Sequence, residues 1–441
     1  MKINVPSDIK NLMKTLHVNG FECYVVGGAV RDSIIGVEPK DWDLFTNATG
    51  DDLLEVFPNG KVIGGEERQE KILTVIVGGV EISQYRSSGD RLITGSTLKE
   101  HLSTCDFNVN AIACDIDGVI IDEHDGLMGL ESKCFGFVGN GEDRIEEDPL
   151  RLLRAVRLIL KYGFKLNRSS ELNMWTKASL INNIPKERIS EELKKLLVYP
   201  NLIEVLEEYH LLIWVINLLT PLKGLDGGKH HAEKDVFTHS VKAYEYACSV
   251  SSNHLLNLAV LLHDVGKADT VKEVDGNNTF HNHESVGAEK VDLWMKEFKF
   301  SNDEIRYVKS IIKHHMMGSA LELKSSTFAR IIDDLILNGV NPVAMLVMKY
   351  SDNQANNTNE RVSFIEFIEH CSFYDEYYKL KHGSKPFNVS DLEVNGHDLI
   401  KLGYEGVKIG KKLKELFVLV HDGDLINRRD KLMEYLKGDE K

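Results

Sequence analysis

The chain has 441 residues, with 53 Lys and Arg against 68 Asp and Glu, for a formal charge of −15. That length supports roughly two to four domains with real cores. The acidic balance confines any polyanion-binding surface to a local basic patch, and no apolar run approaches membrane-spanning length, so no membrane partner is expected. The six cysteines (Cys23, Cys105, Cys114, Cys134, Cys248, Cys371) form no C-x-x-C pair. The opening Met1-Lys2-Ile3-Asn4-Val5-Pro6 lacks a signal-peptide core. Both features predict reduced thiols in a cytoplasmic protein rather than a disulfide frame or a thiolate zinc site.

In chain order, Ile9, Leu12 and Leu16 recur at helical spacing between Ser7 and Asn19, with Gly20 as the stop. The apolar run Tyr24–Val26 then enters Gly27-Gly28, which predicts a strand ending in a tight turn. A short helix beginning at Val30-Arg31-Asp32 aims its first N–H groups at that turn, making a cradle for phosphate. Lys40-Asp41-Trp42-Asp43-Leu44-Phe45 reads as a strand, whose period of two sets Asp41 and Asp43 on one face. Paired carboxylates with open positions suit Mg²⁺ completed by substrate phosphates. A phosphate cradle beside such a pair is equipment for phosphoryl or nucleotidyl transfer. The order Gly-Gly, short helix, Asp-x-Asp strand resembles the nucleotidyltransferase superfamily signature. That superfamily adds a third acid flanked by apolar residues, and Glu81 in Val80-Glu81-Ile82 has this form, as would a solvent-facing strand glutamate.

Residues 51–57 predict a helix closed by Pro58. The runs 72–77 and 80–85 predict strands joined at Gly78-Gly79 by a two-residue hairpin turn. Arg86 closes the second strand, a cation within reach of a triphosphate, and Ser87–Ser96 reads as a polar loop. Asp122–Leu130 is turn-rich. Glu146-Glu147-Asp148-Pro149 then opens the strongest helix of the sequence, with carboxylates and proline where the macrodipole and the fixed φ favour them. Arg151, Arg154, Arg157 and Lys161 make one basic stripe of this helix; Leu152, Leu153, Val156 and Leu160 make its apolar one. The basic stripe is either a solvated face or, as arginines suited to planar recognition, a contact for nucleotide or RNA.

The ordered set resembles the class II tRNA nucleotidyltransferase and poly(A) polymerase family. Tyr24–Asn47 is similar to its motif A, Asp122–Leu127 to its D-x-x-x-G motif, and Glu147–Arg157 to its E-D-x-x-R motif with the following arginines. The resemblance implies that Gly28 and Arg31, beside Gly27, meet the triphosphate, and that Asp41 and Asp43 hold catalytic Mg²⁺. It also implies that Asp148 and Arg151 pair with the edge of incoming C or A, with Arg154 near the phosphates and Arg157 in the same nucleotide-binding set. An Asp acceptor and an Arg donor fork can copy a complementary base edge, which gives selection without a template. Two departures stand out. The family's R-R-D-F-T-x-N-A reads Thr104-Cys105-Asp106-Phe107-Asn108-Val109-Asn110-Ala111, which keeps Asp106 and Asn110 for the nucleotide but loses both arginines. Each lost charge-assisted hydrogen bond costs roughly 1.5–3 kcal/mol. That implies weak nucleotide affinity, a substitute such as Arg86 or Arg91, or a crippled transferase. The second departure is Gly136, where the family has a basic residue.

Farther on, His239, His263-Asp264, His281, His283, His314, His315 and Asp352 are spread over helical sequence. The order His…His-Asp…His…Asp resembles the HD phosphohydrolase superfamily, which implies His239, His263, Asp264 and Asp352 as ligands. His283 and His314 follow as candidates for a second ion or for phosphate contact. Imidazole and carboxylate together suit Ni²⁺, Mn²⁺ or Fe, and such an ion turns a bound water into a nucleophile toward a phosphate ester. Some bacterial relatives in this family hydrolyse 2′,3′-cyclic nucleotides and phosphate monoesters with this domain. The tail from Asn395 to Leu413 resembles the family's tRNA-elbow segment, with Lys408, Lys411 and Lys412 as phosphate contacts.

The expected fold is α+β: a nucleotidyltransferase head with a mixed sheet (1–140), a helical neck with the nucleotide-selecting helix (141–225), an HD body (226–385) and a helical tail (386–441). The expected activity is addition of CCA to tRNA from CTP and ATP, with a phosphohydrolase in the HD domain. The alternatives are a poly(A) or A-adding polymerase, and an RNA end-repair phosphohydrolase whose head only binds tRNA.

Overall fold

The computed structural model describes residues 1–63, 74–86, 97–228, 235–317, 324–356, 362–371, 373, 377, 386 and 389–438. Arg91, the 87–96 loop and the strand start at Ile72 and Leu73 lie outside them. The chain divides into two compact units: residues 1–184 with 208–211, and residues 185–207 with 212–441. The segment 141–225 contributes to both.

The first unit is built on a seven-stranded mixed sheet. Its strands are β1 (Cys23–Val26), β2 (Leu44–Thr46), β3 (Lys61–Ile63), β4 (Thr74–Val77), β5 (Val80–Gln84), β6 (Ile112–Cys114) and β7 (Ile120–Asp122), in the order β3-β4-β5-β2-β1-β6-β7. Its one parallel pair is β2 with β5, where Leu44 lies opposite Ile82. The β4–β5 turn falls on Gly78 and Gly79, both at positive φ, as the twist of a two-residue hairpin requires. The first helix, Ser7–Val18, buries Ile9, Met13 and Leu16. Met13 takes the core position expected of Leu12, which is half-buried.

The helix expected to open over Glu146–Pro149 runs from Arg151 to Tyr162, and a separate helix, Gly141–Glu147, precedes it. Pro149 is the physical reason. A residue before proline is pushed out of the α region, and Asp148 sits at φ −147°, ψ 95°. The second helix buries Leu152, Leu153, Ala155, Val156 and Leu158, and keeps Leu160 half-buried.

Among the described residues the second unit is helical apart from a two-stranded hairpin, Lys272–Val274 with Asn277–Thr279, and an isolated bridge. The helices Val236–Val250 and Ala344–Asn356 pack on each other. The apolar helix His254–Leu261 is almost wholly buried, and this brings the residues that follow it, His263 and Asp264, to the centre of the unit with 1% exposure each.

Candidate functional sites

In the first unit the site begins at Gly27, whose φ of 87° only glycine adopts freely. The helix Gly28–Ile34 starts directly after it. Asp41 and Asp43 lie just before β2 rather than on it. The Asp43 carbonyl accepts from Val26 N at 3.3 Å, which fixes this lead-in against β1. Because Leu44 pairs with Ile82 in parallel register, Asp43 comes level with Glu81. Burial, then Glu81, then Asp41 push the Asp43 carboxyl up to about 6. Three carboxylates therefore share one field that a cation relieves. They do not close into a compact three-ligand group: among the described residues, such groups occur only in the second unit.

Arg31 is 7% exposed and points inward. Its Nε donates to Asp32 Oδ1 at 2.9 Å, its Nη2 to the Tyr162 hydroxyl at 2.6 Å, and its Nη1 to Asn110 Oδ1. Asn110 Nδ2 donates in turn to Asp106 Oδ1 at 2.9 Å, and Arg154 Nη1 stands 3.8 Å from Asp106 Oδ2. A continuous polar chain thus joins the glycine turn, the 104–111 segment and the basic helix.

Asp148 and Arg151 meet through the backbone, where Arg151 N donates to the Asp148 carbonyl at 3.0 Å. Asp148 Oδ1 accepts from Leu150 N at 3.2 Å, while Arg151 Nη1 donates to Glu147 Oε2 at 2.8 Å and to the Arg144 carbonyl. Arg151 Nε is buried and without a partner among the described residues, a donor left for a ligand. Arg157 is half-buried on the same helix.

The two departures near this site are packed rather than loose. Cys105 is partly buried. Burial, then Asp106, push its thiol up to about 12, while Arg144, Arg151 and Arg86 act on it in the opposite sense. Three cations from other elements thus act electrostatically on the segment whose arginines are missing. Asn108 Oδ1 accepts from Gly136 N at 3.0 Å. A Cβ on Gly136 would come within 2.1 Å of Asn167 Nδ2, so a side chain there would have to displace the Asn167 amide.

In the second unit, His239 is carried on the helix Val236–Val250 with no exposure. His263 and Asp264 follow the buried helix. Gly266 lets that turn approach the helix His283–Glu297: a Cβ there would meet the His283 carbonyl at 2.1 Å, so the close contact that sets His283 beside Asp264 needs glycine. His239 Nε2 lies 3.3 Å from His263 Nε2 and 3.1 Å from Asp352 Oδ1. His263 Nε2 is 3.2 Å from Asp264 Oδ2. On the other oxygen, Asp264 Oδ1 is 3.3 Å from His283 Nε2 and 3.7 Å from His315 Nε2. His283 and His315 face each other at 3.2 Å. Asp264 thus bridges two ligand groups, His239–His263–Asp264 and Asp264–His283–His315.

The tautomers follow from the backbone. Nδ1 of His263, His283 and His315 lies 2.7, 2.8 and 2.6 Å from the carbonyls of Val260, Phe280 and Ile312. Each Nδ1 carries the proton toward its carbonyl, so each Nε2 turns a lone pair inward. Converging lone pairs and carboxylates repel unless a cation lies among them, so the donor set fits divalent ions. Burial pushes His315 down to about 3, which keeps it neutral and ready to ligate. Before an ion binds, burial raises the Asp264 carboxyl, but a protonated His263 and Lys267 outweigh it and hold the group well below the usual range; an ion would displace that proton from His263 Nε2. Burial likewise opposes ionisation of Asp352, and His239 and His263 overcome it.

His314, the expected second-ion candidate, turns away: its Nε2 is 2.7 Å from Asp334 Oδ2. His315 takes its place, because the buried stripe Ile305, Val308, Ile311 and Ile312 continues at i+3 and i+4 onto 315, not 314. Sequence reasoning also missed Asn356. Its Nδ2 donates to Asp352 Oδ1 at 3.1 Å, and it lines a cavity of about 630 Å³ with His263, Asp264, Lys267 and Phe280. In the tail, Lys408 and Lys411 are exposed. Lys412 is not available to RNA: it is 8% exposed and its Nζ pairs with Glu415 Oε1 at 2.8 Å. On that helix every third or fourth residue must face the core, and position 412 falls there with Leu416.

Three stretches of the chain match known domains. Residues 23–135 match the Poly A polymerase head domain, 163–221 the probable RNA- and SrmB-binding site of polymerase A, and 236–335 the HD domain. A CCA-adding enzyme of Geobacillus thermodenitrificans is 33% identical over 244 residues, 53% of this chain and 57% of that one. Poly(A) polymerase I of Salmonella typhi is 32% identical over 233 residues, 47% of this chain and 49% of that one. The chain thus spans about half the length of the curated relatives it matches. A Bacillus stearothermophilus CCA-adding enzyme solved with CTP shares the fold, with a TM-score of 0.68 at 22% identity, over 98% of this chain and 96% of that one. The Thermotoga maritima CCA-adding enzyme solved with tRNA gives 0.58 at 17% identity, over 99% and 97%. Among the described residues no helix is long and apolar enough to cross a membrane.

Proposed function

We propose that this chain, which joins a Poly A polymerase head domain to an HD domain, is a tRNA nucleotidyltransferase that adds C, C and A to the 3′ end from CTP and ATP. The observation that carries this reading is the field of Asp41, Asp43 and Glu81 beside the Gly27 turn. The tRNA 3′-hydroxyl attacks the α-phosphorus; the new P–O bond forms as the α–β bond breaks, pyrophosphate leaves, and the hydroxyl proton passes to solvent. Asp41 and Asp43, with Glu81 as the third acid, would hold Mg²⁺, which when bound offsets charge on the hydroxyl and on pyrophosphate. Gly27 and Gly28 let the triphosphate approach the helix start. Asp148, thrown clear of its helix by Pro149, and Arg151, with its free Nε, offer an acceptor and a donor to the base edge. Arg86, Arg144 and Arg151 around Cys105 supply the positive charge that the Thr104-Cys105 departure removed. Lys408 and Lys411 are the tail lysines left to meet tRNA phosphates. With free cysteines throughout, a cytoplasmic setting suits the protein.

The bridged ligand groups support a second activity. His239, His263, Asp264 and Asp352 would hold one divalent ion, and His283 and His315 a second through Asp264. Such ions when bound lower the pKa of water, which equips the cavity to hydrolyse a phosphate ester. Incubating tRNA that ends before CCA with each nucleoside triphosphate alone, then in pairs, tests the first reading. CTP alone should extend the tRNA by two residues, and ATP should be used only afterwards. Incorporation of ATP alone into that tRNA would favour an A-adding or poly(A) enzyme. No incorporation alongside ring opening of 2′,3′-cyclic AMP to its phosphate monoester would leave the end-repair reading standing.

A further inference from the structure

We infer that Tyr162 is a positioning residue that sets Arg31 for the nucleotide triphosphate, clamping its guanidinium between hydroxyl, ring and Asp32; this rests on the nucleotidyl-transfer reading of the head. Arg31 has five N–H donors in a rigid fork. Nε goes to Asp32 Oδ1, one Nη1 hydrogen goes to Asn110, and Nη2 faces both the Tyr162 hydroxyl at 2.6 Å and Asp32 Oδ1 at 2.7 Å. One Nη1 hydrogen is left, and its direction is set by what grips the rest of the group.

Tyr162 grips it twice. Its ring lies against the guanidinium, with Arg31 Cζ 4.6 Å from the centroid. Its hydroxyl accepts from Arg31 while donating to Asp32 Oδ1 at 2.8 Å, which uses both capacities of a phenol. Burial pushes that phenol up to about 12, so the proton stays in place at neutral pH. Lys161 completes the group, 3.6 Å from Asp32 Oδ2 and 4.6 Å from the Tyr162 ring centroid.

The place of Tyr162 gives the clamp its meaning. It is the last residue of the helix Arg151–Tyr162, whose first residue belongs to the base-selecting pair. The same helix reaches Arg31 again through Arg154, Asp106 and Asn110. The residue that meets phosphate is thereby tied at two points to the helix that meets the base, so both ends of the nucleotide are registered to one rigid element.

The test compares Y162F and Y162L with the wild type in nucleotide addition to truncated tRNA, with a thermal melt of each. Y162F keeps the ring and loses both hydroxyl bonds. It should raise KM for CTP and ATP about 3- to 10-fold, the worth of one to two hydrogen bonds, with kcat within about twofold. Y162L, which also loses the ring, should raise KM several-fold further for both nucleotides. A purely structural tyrosine would lower the melting temperature and leave KM unchanged for the folded fraction; that result, or a KM within twofold of wild type in both variants, overturns the proposal. A wild-type protein that adds no nucleotide would sink the transferase reading and the clamp together, whereas active wild type with unaltered variants removes the clamp alone.

Discussion

The two sites handle negative charge in opposite ways. In the head, Asp41, Asp43 and Glu81 share a field but form no compact group, and Asp41 is exposed. In the HD unit, His239, His263, Asp264, His283 and His315 are all at least nine-tenths buried, and their ligand atoms lie within a few ångströms. On the nucleotidyl-transfer reading the first is a site that its substrate completes, with triphosphate oxygens as the missing ligands. The second is assembled by packing before any ligand arrives. Metal at the head should therefore bind weakly without nucleotide, and metal at the HD site tightly without substrate.

The largest expected effect separates the two sites. D43N should lower nucleotide addition on the order of 10²–10³-fold or more while metal content of the purified protein stays unchanged. D264N should do the reverse, stripping ions from both ligand groups and sparing addition. If D43N also empties the HD site, the sites are not independent and the comparison fails.

Next in size are the two adjacent histidines. H315A should lose one of two ions per chain by elemental analysis. H314A should keep both and cost about 1 kcal/mol or less, the range of an ion pair near the surface. Equal metal loss in the two variants would return His314 to the site.

Asn356 comes third. It holds Asp352 from outside the ligand set, and such partners are worth roughly 10–100-fold in metal affinity. N356A should weaken the HD isotherm by about that factor, with addition unchanged; an unaltered isotherm would reduce Asn356 to a helix-end contact.

The smallest effect is the sharpest in sign. Asp43 titrates at about 6 in the folded chain, above its value when unfolded. In the metal-free head, the stability that Asp43 itself contributes is therefore full below the ordinary carboxylate range and is lost as pH rises through about 6. Over the same interval Mg²⁺ affinity should climb, because the ion needs the ionised form. Melting curves from pH 4 to 7 with EDTA should show that decline in the wild type and a flatter one in D43N. A D43N curve parallel to the wild type would place the titration elsewhere.

Much of this was legible in the residues. Gly27-Gly28, the Gly78-Gly79 hairpin and the apolar face of 151–162 follow from local sterics and periodicity. What sequence placed less well were features set by neighbours. The strand expected to carry Asp41 and Asp43 begins only at Leu44, because pairing with β5 starts at Ile82. Lys412 read as one of a run of exposed lysines, yet its helix turns it inward with Leu416. His315 could have been chosen over His314 by extending the stripe Ile305, Val308, Ile311 and Ile312 by one step. Tyr162 carried no signal, since its partner lies 130 residues away, whereas Asn356, four residues after Asp352 on the same helix, could have been found by its spacing.

By itself the sequence determined the chemistry available: a glycine turn, acids in pairs, a basic helix opened at a proline, and histidines set in apolar helices. These are local properties, fixed by backbone sterics and by hydrophobic period. Tertiary structure alone decided which groups share a field, that Asp264 serves two ligand sets through its two oxygens, and that Arg31 faces Tyr162. Those outcomes depend on contacts between residues far apart in the chain, where burial removes water and lets a few ångströms decide which charge is paired and which is left for a ligand.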